Sequence, residues 1–161
     1  SVISLSRLLL SLGYQARGTY VATANGCFFI PETKNKTSVV PTGNDLATLF
    51  EGITSNTNYT SLQKAVSEVL VTKLGLAKSL RITVSGNLVL VRLYGFLARE
   101  LCAEFRKTTV ICDQLGCPVC SAIACAVAKS TNEGVLINRV EPSSDYRVID
   151  VFLEKKKRRK E

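Results

Sequence analysis

The run Cys117-Pro-Val-Cys-Ser-Ala-Ile-Ala-Cys-Ala-Val-Ala128 is small and apolar on nearly every side. Proline is favoured at the first position of a helix, where its missing N–H costs nothing, so the run predicts a helix over 118–129. A helix without a polar face has to be enclosed by other elements. The fold must therefore be built around this segment. A chain of 161 residues, 46% of them apolar, suffices for one such core and hardly for two. We expect a single domain over 1–153 and a basic, disordered tail over 154–161.

The rest of the chain supplies both helices and strands. Apolar residues at positions 2, 5, 8, 9 and 12 fall on one helical face. Strands are expected over 19–24 and 27–30, joined by Asn25-Gly26, a dipeptide that accepts positive φ. Residues 31–45 read as a loop, closed by a short helix over 45–53. Thr60-Ser-Leu-Gln63 has the form of a capping box, and Leu62, Ala65, Val66, Val69, Leu70 and Leu74 then share one helical stripe up to Gly75. Aliphatic runs over 80–84 and 88–93 flank Ser85-Gly86-Asn87 and predict a hairpin. Leu97, Leu101 and Phe105 mark a helix over 96–107, followed by a short strand over 108–112. Segments 135–140 and 146–153 close the domain as a hairpin around a turn at 142–145.

Histidine is absent from the sequence, which excludes Ser-His and Cys-His nucleophile pairs, His-bearing zinc sites and imidazole acid–base chemistry. Catalysis would have to run on thiols or carboxylates. The formal charge is +8, and half of it comes from the last eight residues, where Lys155, Lys156, Lys157, Arg158, Arg159 and Lys160 meet only two acids. Such a run is normally kept solvated by self-repulsion. Its functional alternative is contact with phosphate, on nucleic acid or on an anionic membrane surface. No apolar run reaches the roughly 18 residues needed to cross a bilayer, and Arg7 makes the opening segment suit a core helix better than an export signal. Six cysteines in an unexported chain are expected to be reduced thiols of a cytoplasmic protein.

Cys112, Cys117, Cys120 and Cys125 lie within fourteen residues and allow several chemistries. Cys117, just ahead of Pro118, sits where free N–H groups and the helix dipole stabilise a thiolate. Strand, Cys117-Pro-Val-Cys120 and helix, in that order, resemble the active-site segment of glutaredoxins. That short resemblance implies Cys117 as attacking thiol and Cys120 as resolving thiol. Pro142, the one proline after the motif, falls in a hairpin turn, so the cis-proline strand that faces the dithiol in that family has no counterpart. The four-cysteine spacing begins like that of plant-type ferredoxins. Cys120 and Cys125, however, would point about 140° apart on one helix at 100° per residue, so neither metal nor cofactor is expected. The remaining reading makes these cysteines small hydrophobes packed in the core, with disulfides to Cys27 or Cys102 left open.

Over 74–153 the order of elements resembles the 4-vinyl reductase domain and, more distantly, the small subunits of the TRAPP vesicle-tethering complexes. Val91-Arg-Leu-Tyr-Gly-Phe-Leu97, the Gly116 to Ala128 run and Tyr146-Arg-Val-Ile-Asp-Val-Phe-Leu153 carry the likeness. It implies an α+β domain whose helices pack on one face of an antiparallel sheet, a homodimer, and an apolar pocket for a small ligand or acyl chain, lined by Cys117 and Cys120. The late Cys-x-x-x-Gly-x-x-x-Cys of 4-vinyl reductases has no counterpart over 138–147, so its metal chemistry does not transfer. The expected function is a non-enzymatic module that binds a small apolar ligand or a protein partner. The alternatives are a thiol–disulfide oxidoreductase using Cys117 and Cys120, and nucleic-acid binding through the basic tail.

Overall fold

The computed structural model describes residues 17–32, 38–107 and 116–157. In chain order these form β1 (Gly18–Thr23), β2 (Gly26–Pro31), α1 (Asn44–Ala47), α2 (Tyr59–Ser67) running into a π-helical turn (Glu68–Lys73), β3 (Ser79–Ser85), β4 (Leu88–Tyr94), α3 (Arg99–Arg106), α4 (Pro118–Thr131), β5 (Gly134–Pro142) and β6 (Val148–Lys156). The strands make one six-stranded sheet in the order β2-β1-β5-β6-β4-β3, antiparallel throughout. The class is α+β, as expected. The helix expected near the N-terminus and the strand over 108–112 lie outside the described residues, as do Cys112, Arg158, Arg159 and Lys160.

One face of the sheet is apolar because the strands alternate. Val89, Val91 and Leu93 of β4 and Ile149, Val151 and Leu153 of β6 turn inward and are buried. In β5 an extra residue at Asn138 shifts the register between Ile137 and Arg139. That bulge lets Ile137 and Val140, three residues apart, both face the core. On the opposite face Arg92 makes two hydrogen bonds to Asp150, at 2.6 and 2.9 Å, and the Arg139 guanidinium lies 4.2 Å over the Phe152 ring.

Helix α4 lies across the apolar face in contact with β1, β2, β5, β6, α1 and α2. Ala122, Ile123, Ala124 and Ala128 have no exposed surface, so the enclosure that an all-apolar helix demands is met. Its small side chains admit close neighbours. Gly43 packs directly on the backbone of Pro118, Ser121 and Ala122, where a Cβ has no room. The Gly43 N–H donates to Ser121 Oγ at 2.9 Å. Cys117 is the extended N-cap of α4, Pro118 its first residue, and Asn132 ends it in the left-handed conformation, φ 52°.

Several boundaries differ from expectation for local reasons. The β1–β2 turn centres on Ala24-Asn25, since Thr23 pairs with Gly26 and only the glycine takes positive φ. The capping box at Thr60 is not used. Asn58, an equally good cap, accepts the Ser61 N–H at 2.8 Å. Gln63 reaches instead to the Ile82 N–H of the edge strand β3, also at 2.8 Å. The helix expected over 45–53 is the single turn α1, because Phe50 and Ile53 leave helical spacing to enter the core and Gly52 bends the chain at φ 77°.

Residues 154–156 of the tail expected over 154–161 are strand. Strand β6 continues through Glu154, Lys155 and Lys156: Glu154 pairs with Leu88 and Leu136, and the Lys155 N–H donates to Asn87 O at 2.8 Å. Self-repulsion is offset locally, because Lys155 lies 5.6 Å over the Tyr59 ring and Lys156 is 3.8 Å from Glu32. No helix among the described residues is long and apolar enough to cross a membrane.

Candidate functional site

The first turn of α4 brings Cys117 and Cys120 together, as their spacing implies. Cys117 is partly exposed and Cys120 is buried. The Cys120 thiol donates a hydrogen bond to the Cys117 sulfur. That side chain is the largest influence in favour of the Cys117 thiolate; burial opposes ionisation, the backbone N–H groups of Cys120 and Val119, free in a first helical turn, favour it, and the Cys117 thiol is lowered to about 7. Cys102 of α3 faces the same small apolar cavity together with Leu93, Phe96 and Ile149. Burial, and then the nearby Cys117 charge, pushes the Cys102 thiol up to about 11. That cavity holds about 40 Å³, far below the roughly 300 Å³ at which small-molecule sites begin. Among the described residues no three Cys, Asp or Glu side chains converge in a way that could hold a metal ion. Pro142 ends β5 opposite Ile149, with a trans peptide bond.

Farther along α4, Cys125, Ala126 and Lys129 form one wall of a cleft of about 320 Å³, closed by the β1–β2 hairpin and α1. Its floor is Cys27, Phe50, Ile53, Cys125 and Ala126, each under a tenth exposed. Thr23, Asn44, Thr48 and Lys129 stand at the rim. The space exists because small residues face one another: Ala22, Ala24 and Gly26 on the hairpin, Ala47 on α1 and Ala126 on α4. The close seat of Gly43 on α4 sets the depth at which α1 lies. Cys125 donates to the Cys27 sulfur, and that bond, with burial, holds the Cys125 thiol well above the ordinary thiol range. It therefore stays protonated at neutral pH and acts as apolar lining.

Two further grooves are wider but chemically different. One beside α2 is lined by Glu51, Lys64, Glu68 and Lys73, and one beside α3 by Arg99, Glu100 and Asp145. Val69 is the one buried apolar residue in the described lining of either, so neither offers the broad buried apolar floor that marks small-molecule sites. Tyr20 is fully buried, and burial raises its pKa well above the ordinary tyrosine value against a hydrogen bond with Ser121 that lowers it, so it stays neutral.

No family model, curated protein or solved structure matches the chain. The geometry of the site is thus the guide to its chemistry. Sequence reasoning found Cys117 and Cys120 but missed the cleft residues Cys27, Phe50, Ile53, Ala126 and Lys129. The one signal was the density of alanine and glycine in the hairpin and in α4, which also fits close packing without a cleft. Of the six tail bases, Lys155 and Lys156 belong to the sheet and Lys157 follows it.

Proposed function

We propose that the protein is a binding module for a small, mostly apolar molecule with one polar or anionic end, held in the cleft beside α4. One observation carries the reading: about 320 Å³ of space with a buried apolar floor and a polar rim, within the volume range of small-ligand sites, ~300–1,000 Å³. The floor rewards apolar burial at about 25 cal/mol per Å². Asn44, Thr48 and Lys129 at the mouth offer hydrogen bonds and a cation to the polar end. This is also the kind of function implied by the resemblance to 4-vinyl reductase and TRAPP small-subunit domains, and the homodimer it implies belongs to the same proposal.

An amide NMR titration with hexan-1-ol tests it. Saturable shifts are expected at Cys27, Phe50, Ile53, Cys125 and Ala126, and Ala126→Leu, which fills the cleft, should abolish them. Absence of saturable shifts, or shifts unchanged in the variant, would refute the proposal.

A further inference from the structure

We propose that Cys117 and Cys120 form a second, chemically active site: a dithiol that exchanges with disulfides. The proposal does not rest on the cleft, which lies at the other end of α4. Three observations support it. Cys117 is the N-cap and Cys120 the third helical residue, an i, i+3 placement that puts both on one helix face, and both line the same small cavity. Their exposure is graded in the order the chemistry needs, Cys117 partly open and Cys120 3% exposed. Substrate must then meet Cys117 first. Finally, among the described residues the cavity lining has no carboxylate or amine and includes three thiols, Cys102, Cys117 and Cys120.

A second thiol pair, Cys27 of β2 with Cys125 of α4, provides an internal contrast. There both sulfurs are buried and Cys125 is held protonated. At the N-cap the Cys120 side chain, and after it the first-turn N–H groups, stabilise the thiolate instead. The helix thus contributes one thiol to an inert pair and heads a reactive one. Leu97 and Leu101, 63% and 53% exposed, stand on the stretch of chain that supplies Ala98 and Cys102 to the same lining, giving the sulfurs an apolar surround.

In the reaction, the Cys117 thiolate, its proton already lost to solvent, attacks one sulfur of a substrate disulfide. The S–S bond breaks, one substrate thiolate leaves and takes a proton from solvent, and Cys117 is held in a mixed disulfide. Cys120 then releases its proton, attacks Cys117 Sγ and expels the second substrate thiolate, which takes that proton. The pair loses two electrons and the substrate disulfide becomes two thiols. An external thiol restores the dithiol by the reverse steps. At pH 7 a thiol with pKa about 7 is half ionised, against about 3% for an ordinary cysteine. Lower basicity gives back about five-fold in nucleophilicity. Cys117 should therefore react about three-fold faster than free cysteine.

The test uses the full chain equilibrated with glutathione disulfide, alkylated and mapped by peptide mass spectrometry. A Cys117–Cys120 disulfide is expected, with Cys27 and Cys125 still free to alkylate after unfolding. Cys120→Ser should trap glutathione on Cys117. Cys117 and Cys120 both remaining free thiols in the wild-type chain, or trapping on Cys120 in Cys117→Ser with none on Cys117 in Cys120→Ser, would overturn the proposal. Turnover is then followed with dithiothreitol and either glutathione disulfide or insulin. Acceleration of the first alone assigns a small disulfide as substrate, of the second alone a protein disulfide, and of both the shared chemistry. Acceleration of neither overturns the activity.

Discussion

A homologous series of n-alkan-1-ols measures the α4 cleft in methylenes. Each buried methylene contributes about 0.8 kcal/mol, equivalent to about four-fold in Kd. The cleft is open on one side, so part of each methylene stays wet and the gain should fall between about two- and four-fold. The series should also end. At roughly 30 Å³ per non-hydrogen atom, a volume of about 320 Å³ accommodates about ten such atoms, so affinity should rise from butan-1-ol to about nonan-1-ol and then level off. Calorimetric titration of each alcohol gives Kd directly. A slope below about 1.5-fold per methylene, or a rise that continues unbroken to dodecan-1-ol, would show that the alcohols partition onto an exposed surface instead of filling a cleft of this depth.

Gly43→Ala should destabilise the fold by about 2–4 kcal/mol, because its Cβ overlaps the α4 backbone, separates α1 from α4 and leaves the buried Gly43 N–H unpaired. Urea denaturation reads this, and a loss under about 0.5 kcal/mol would contradict the packing described. Ending the chain after Leu153 removes several backbone bonds of β6 at about 1 kcal/mol each, whereas ending it after Lys157 should leave the urea midpoint within experimental error; equal effects would contradict the strand extension. The Cys117 thiol ionises near 8.5 when unfolded and at about 7 when folded. Its contribution is therefore fully present above about pH 8.5 and lost as pH falls through 7, amounting to up to about 2 kcal/mol. The stability difference between wild type and Cys117→Ser should rise with pH across that window, and a flat difference would refute the lowered pKa.

The parts of the fold that were legible in the sequence are those where one local pattern has a single solution. An all-apolar α4 headed by Pro118 has to be central, and the alternation in β4 and β6 has to bury one face. What was not legible depends on partners distant in sequence. Gln63 looked like a cap because its competing partner, the Ile82 N–H, is visible only once β3 lies beside α2. Lys155 and Lys156 looked like a tail because charge patterning is blind to Tyr59 and Glu32, which neutralise their cost. The cleft was hidden for the same reason. Alanine and glycine specify small volume, but whether that volume is filled by a neighbour or left open is decided by how far α1 descends on Gly43. Cys117 and Cys120 were legible as a pair because helix geometry alone brings them together, whereas Cys27 and Cys125 meet only through the tertiary fold.

A crystal structure of the full chain grown with octan-1-ol tests the binding reading most directly. The reading predicts an extended aliphatic chain against Phe50, Ile53 and Ala126, with its hydroxyl at the Asn44, Thr48 and Lys129 rim. A cleft closed by inward rotation of Phe50, or alcohol found only around Leu97 and Leu101, would contradict it.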